Sequence, residues 1–237
     1  VAVIIKGIIF DYDGVIVDSF KDQFDMFDKL CKIKGIKFPY RNLEELRENY
    51  IEPFPEMYKK IGFDWESDKD EIYRLYNEHK RETEISLVEG IDKVIIELAK
   101  DYKLGIASSN TRPIIIKHLI EHRLNYCFSA IVTEEDLKLN NPEPRFKPDP
   151  DSIIMALEKM ELKPEETVYV GDQPTDAVAS MRVAEFRGKA VHPVLVSYGY
   201  AAKEKLMQAI DEKYIADKPE DLIRIIKKLD RELRTIN

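Results

Sequence analysis

Five short, mainly apolar runs punctuate the chain: Gly7-Ile8-Ile9-Phe10, Leu104-Gly105-Ile106-Ala107, Ser129-Ala130-Ile131-Val132, Thr167-Val168-Tyr169-Val170 and Val194-Leu195-Val196. Runs that do not alternate apolar with polar positions predict strands buried on both faces, the habit of parallel sheets. The stretches between them carry helical periodicity, over residues 91–100, 113–122, 150–160, 176–184 and 219–231. In the last of these Leu222, Ile225, Ile226 and Leu229 fall on one face. Strand and helix in alternation predict an α/β fold, a doubly wound parallel sheet with right-handed crossovers. Ligands of such sheets bind beyond the carboxyl ends of the strands, so the residues after each apolar run are the candidates for chemistry.

The alternation is interrupted once. From residue 19 to 86 there is no strand signal. Phe20, Phe24, Phe27 and Cys31 recur at helical spacing, and further helices are predicted over 42–50, 56–61 and 68–84. This is a helical insertion after the first strand, with plausible hinges at residues 15–18 and 86–90.

Composition narrows the function classes. The 237 residues are 44% hydrophobic and 35% charged, with a formal net charge of -8. No basic block outweighs the acidic background, which argues against nucleic-acid binding. No run approaches the roughly 20 apolar residues of a membrane span, and the apolar start is broken by Lys6 without a small-residue cleavage site. Cys31 and Cys127 stand far apart in apolar segments and read as reduced core thiols. A cytoplasmic location is therefore expected. His79, His118, His122 and His192 lack metal-ligand spacing and read as structural.

The chemistry-bearing residues lie where the sheet argument places them. The first strand ends in Asp11-Tyr12-Asp13-Gly14, two carboxylates two residues apart. An Asp-rich turn with Gly14 at positive φ would account for them equally well. A calcium loop would need a preceding helix and a later bidentate Glu. The second strand ends in Ser108-Ser109-Asn110-Thr111, hydroxyls and backbone N–H groups at the start of a helix. Such a terminus suits an anion, though simple N-capping uses the same residues. Lys147 sits between Phe146 and Pro148 just before a helix, and the fourth strand ends in Gly171-Asp172 with Asp176 in the next helix's first turn. Convergence of these segments would put four aspartates in one cleft, where like charges raise one another's pKa unless a cation intervenes. All-oxygen ligands with open positions favour Mg²⁺, and Lys147 would add a further positive charge.

Taken together and in order, Asp11-Tyr12-Asp13-Gly14-Val15, Ser108, Lys147-Pro148 and Gly171-Asp172 with Asp176 resemble the four motifs of the haloacid dehalogenase-like superfamily. The insertion resembles the helical cap of its phosphoglycolate phosphatase and β-phosphoglucomutase branch. The resemblance implies a catalytic core over 1–17 and 88–237 and a cap over 18–87. It implies a Mg²⁺-dependent phosphatase in which Asp11 is the nucleophile and Asp13 the general acid/base. Ser108, Ser109, Asn110 and Lys147 would bind the phosphoryl group. The ion would be held by Asp11, the Asp13 backbone carbonyl, Asp172 and Asp176.

The substrate would be a small phosphorylated metabolite and the protein a monomer or homodimer. Arg41, Arg47, Tyr50, Tyr58 and Lys59 are the cap candidates for substrate choice, Arg47 foremost for a carboxylate or second phosphate. A sugar-phosphate mutase is the main alternative. A dehalogenase would lack Asp13, a phosphonate hydrolase would need a cap lysine such as Lys21, Lys59 or Lys60, and a non-catalytic phosphate-binding regulator would leave these residues without turnover. Two departures stand out: an apparent insertion over 139–146, and Ala184-Glu185-Phe186-Arg187-Gly188 where Ala-Gly is common.

Overall fold

This computed structural model describes residues 3–140 and 145–235. Strand β1 (Gly7–Phe10) is followed by α1 (Phe20–Lys34), α2 (Leu43–Asn49), α3 (Phe54–Ile61) and α4 (Trp65–Glu82). Then come α5 (Ile91–Leu98), β2 (Lys103–Ala107), α6 (Arg112–Glu121), β3 (Phe128–Val132), α7 (Glu134–Asn140) and α8 (Asp151–Met160). The chain finishes with β4 (Thr167–Gly171), α9 (Pro174–Arg187), β5 (His192–Val196), α10 (Lys203–Leu206), β6 (Ile215–Ala216) and α11 (Pro219–Thr235).

All strand pairs are parallel, in the order β3-β2-β1-β4-β5-β6. Successive residues of β1 point to opposite faces, and both faces are covered. Ile8 and Phe10 pack in one core with residues of α5, α6 and α11. Ile9 packs in another with residues of α8 and α9. This explains the unbroken apolar runs, because no strand position of β1 or β4 meets water. The sixth strand has only two residues, too short to show a pattern. Helix α7 begins Glu-Glu-Asp and has Leu137 as its buried apolar anchor, so its periodicity is weak. The expected insertion over 139–146 begins within α7, and residues 141–144 lie outside the described residues.

The strand order fixes where a cleft opens. From β1 the chain moves outward through β2 and β3, then returns to the other side of β1 to lay down β4. The crossovers therefore diverge between β1 and β4, the switch point where open α/β sheets bind ligands. Asp11 follows β1, and Asp172 follows β4.

Helices α1 to α4 have an apolar cluster of their own, including Met26, Phe27, Leu30, Leu46, Met57, Ile61 and Ile72. The connections out of and into the sheet pair with each other: Asp18 N–H donates to the Ser86 carbonyl at 2.9 Å and Val88 N–H to that of Ile16 at 3.0 Å. Tyr200, from the loop after β5, joins the helical cluster, and its hydroxyl is 2.9 Å from that of Ser19. Cys31 and Cys127 are buried free thiols. No helix among the described residues is long and apolar enough to cross a membrane.

The helix-on-sheet packing can be tested on one element against another. Ile226 in α11 is fully buried, whereas Ile120 at the end of α6 is 57% exposed. Ile226→Ala is expected to cost about 2–4 kcal/mol and Ile120→Ala less than about 0.5 kcal/mol, measured by urea denaturation.

Candidate active site

The centre of the site is an ammonium shared by two carboxylates. Lys147 Nζ donates to Asp11 Oδ2 and to Asp176 Oδ1, both at 2.6 Å, and reaches the Tyr169 hydroxyl at 3.3 Å. Each partner is fixed by its own element. Asp11 Oδ1 accepts from the Tyr12 N–H at 2.7 Å where β1 ends. Asp176 lies in the first turn of α9, which starts at Pro174, and its Oδ2 accepts the N–H groups of Asp172 and Gln173 at 2.9 Å each. It thus closes a capping box and anchors the lysine.

Asp172 completes the acidic group. Its Oδ2 accepts from the Tyr200 N–H at 2.6 Å. Carboxylate oxygens of Asp11, Asp172 and Asp176 lie within 4.8 Å of one another. At an effective dielectric near 20, each like-charge pair at that separation repels by about 3.5 kcal/mol. Three such pairs approach the whole stability of a typical domain. Lys147 offsets part of this, and burial with the neighbouring acids still pushes Asp11 up to about 7 and Asp172 well above the carboxylate range. An all-carboxylate oxygen set with this unmet repulsion fits a hard divalent cation, held by Asp11 and Asp172 with Asp176 beside them.

Asp13 differs from the other three. One oxygen accepts from Asn110 Nδ2 at 3.0 Å, while Oδ1 is buried with no hydrogen-bond partner. Asn110 is itself oriented, because its N–H donates to Ser108 Oγ at 3.0 Å and its Oδ1 accepts from the Thr111 N–H at 2.7 Å. Asp11, Asp13, Ser109, Asn110, Lys147 and Asp172 open onto one cavity of about 110 Å³. Ser108 is buried and, with Ser109 and Lys147, lines a small adjoining pocket.

The helical insertion supplies the opposite wall. Of the cap candidates, Tyr50 and Tyr58 line the cavity, and so do Glu52, Phe54, Tyr73 and Tyr76, which sequence reasoning did not single out. Glu52 accepts from the Thr175 hydroxyl across the two units. A carboxylate in the loop between two helices carries no motif, so only its position marks it. Arg47 does not line the cavity: its guanidinium donates to the Gly199 carbonyl and covers the Phe20 ring at 4.6 Å. Arg41 pairs with Glu45, and Lys59 with Glu56, both on the surface. Lys21 binds Asp25, and Lys60 reaches the Asn49 carbonyl, so neither projects into the site. His118 shares a 2.5 Å hydrogen bond with the hydroxyl of buried Tyr12, the residue between Asp11 and Asp13.

Gly14 is required by geometry. Its φ is +75°, and a Cβ there would fall 2.3 Å from Asp172 Oδ2. Gly35 has a similar φ of +67° but nothing within 4 Å. Both alanine substitutions incur backbone strain, about 1–3 kcal/mol. Gly14→Ala is expected to weaken divalent-cation binding at least tenfold as well, and Gly35→Ala to leave it unchanged, read by calorimetric titration.

Residues 8–184 match the family model described as haloacid dehalogenase-like hydrolase. Pyrophosphatase PpaX of Bacillus cereus is 27% identical over 233 residues, covering 96% of this chain and 99% of the relative. A haloacid dehalogenase-like hydrolase from Streptococcus pneumoniae superposes with a TM-score of 0.74 at 22% identity, over 93% of this chain and 97% of that one. A candidate β-phosphoglucomutase from Bacteroides vulgatus gives 0.74 at 18% identity, over 99% and 92%.

Proposed function

Because this chain belongs to the haloacid dehalogenase-like hydrolases, we propose that it is a Mg²⁺-dependent phosphatase that cleaves a small phosphate monoester through an aspartyl phosphate on Asp11. The observation that carries the reading is the pairing of two unlike carboxylates at one cavity. Asp11 is held in place by Lys147, and Asp13, two residues on, keeps one oxygen free of partners. A nucleophile needs to be positioned and charged. An acid/base group needs an unoccupied oxygen for the proton it carries.

The reaction balances with these residues. An Asp11 carboxylate oxygen bonds to phosphorus as the ester P–O bond breaks, and the departing alcohol oxygen takes the Asp13 proton. Asp13 then accepts a proton from water, whose oxygen bonds to phosphorus as the Asp11–phosphorus linkage breaks. Free phosphate and the Asp11 carboxylate are regenerated. Magnesium, held by Asp11 and Asp172, would neutralise phosphoryl oxygens so that an anionic nucleophile can approach. Lys147, Ser109 and Asn110 face the same space and would bind those oxygens. Residues 18–87 act in this reading as a cap that excludes water, with the paired connections at Val17 and Leu87 as its hinge.

Phosphate release from a panel of monoesters with Mg²⁺ is the direct test. Asp11→Asn is expected to abolish turnover, and Asp13→Asn to lower kcat by about 10²–10⁴-fold while substrate binding persists. Full turnover by Asp11→Asn would overturn the assignment of the nucleophile.

Metal binding should also be proton-linked. Asp11 is raised from 3.8 to about 7, chiefly by burial. A carboxyl raised in this way adds its full stabilisation below the unfolded value of about 4 and loses it as pH rises through about 7. The cation binds the ionised form, so the magnesium-induced rise in Tm is expected to grow between about pH 5.5 and 8 and then level off. A larger rise at the acidic end would contradict it.

A further inference from the structure

We propose that the alcohol released from this enzyme's substrate carries no negative charge and presents an apolar or aromatic face. The proposal rests on the phosphatase reading and concerns the other half of the same cavity. The wall contributed by the helical insertion includes Tyr50, Phe54, Tyr58, Ile72, Tyr73 and Tyr76. These rings are braced from behind. Tyr58 stacks on Trp65 with centroids 5.6 Å apart, and Phe54 meets Trp65 and Phe146 edge-on at 5.4 and 5.3 Å. A rigid aromatic surface takes up apolar area with little ordering cost.

The charges around the cavity disfavour a second anion. Among the described residues lining the cavity, Lys147 is the sole cation, against Asp11, Asp13, Glu52, Glu134 and Asp172. Lys147 is already shared between Asp11 and Asp176. Lys80 and Lys138, which lie 5.3 and 5.2 Å from the ring centroids of Tyr76 and Tyr73, are already paired with acids. Lys80 lies 2.5 Å from Asp22, which also holds His79 at 2.6 Å, and Lys138 lies 2.8 Å from Glu134. Arg47 is turned to the Gly199 carbonyl. A carboxylate or second phosphate on the leaving side would therefore be buried beside Glu52 and Glu134 with no free partner, which is strongly disfavoured. Gln23 and Asn77 supply neutral hydrogen-bonding groups in their place. Pyrophosphate and phosphoglycolate both carry the extra anion that this wall does not meet.

The test compares benzyl phosphate with 2-phosphoglycolate, whose alkoxide leaving groups are comparably poor, and with pyrophosphate, at fixed free Mg²⁺. Wild-type kcat/KM for benzyl phosphate is expected to exceed that for each anionic substrate at least tenfold. Binding to Asp11→Asn, measured by calorimetry, should follow the same order. Glu134→Gln removes one acid and releases Lys138, so it should narrow the benzyl-to-phosphoglycolate ratio several-fold. Preference for phosphoglycolate or pyrophosphate in both turnover and binding would overturn the proposal, as would failure of Asp11→Asn to bind any of the three. If no ester is hydrolysed, the phosphatase reading fails, and the binding order alone decides the question of the leaving side.

Discussion

Lys147 is the charge on which the arrangement of the site depends, because the fold delivers acids to one rim faster than it delivers cations. Parallel strands end side by side, and β1 and β4 both end in aspartate. The first turn of α9 adds a third carboxylate. Without a compensating ammonium, their mutual repulsion would compete with the stability of the whole domain. With Lys147 bridging Asp11 and Asp176 at 2.6 Å, the Asp11 carboxylate has one fixed orientation. Burial still leaves Asp11 and Asp172 short of positive charge. That remaining deficit is the electrostatic basis of the proposed metal binding.

The four acidic groups have distinct surroundings, and their roles follow from them. Asp176 is saturated by two backbone N–H groups and Lys147, so it serves to position. Asp172 is held by one backbone N–H. Asp11 is fixed at both oxygens by groups that leave its approach to the cavity open. Asp13 alone keeps a buried oxygen unpartnered. One residue type therefore takes four different settings, separated only by hydrogen bonding and neighbours, and the proposed roles of anchor, ligand, nucleophile and proton carrier are assigned from those settings.

The helical insertion contributes chemistry of the opposite kind. Its wall is aromatic and neutral-polar, with one acid, Glu52, and no cation among the described lining residues. In the proposed reaction the chain order divides the labour: the sheet edge would handle the phosphoryl group, and the inserted helices would meet what is attached to it. Tyr200 and Gly199 tie the two units together, since one joins the helical cluster and the other receives Arg47. The loop after β5 thus couples the position of Asp172 to the position of the insertion.

The strands, their parallel order of burial and the acidic turns were legible because they depend on local pattern. A strand buried on both faces has to be apolar throughout, and a turn at its end has to carry the residues that leave it. Asp11, Asp13 and Asp172 could be located for that reason, whereas Lys147, just before a helix, and Asp176, in a helix's first turn, joined them only through the order of motifs that resembles the family. The two-residue β6 and the acid-rich α7 were not legible, because neither is long or periodic enough to show a face. Nor was the lining of the second wall. Arg47 had the charge expected of an anion contact, yet packing sends it to a carbonyl and a phenyl ring. Glu52 stood in no motif, yet the loop between α2 and α3 delivers it to Thr175 and the cavity. Which side of a helix faces a neighbouring unit, and which cation is already spoken for by a distant acid, are relations between segments far apart in sequence. Only the tertiary structure decides them.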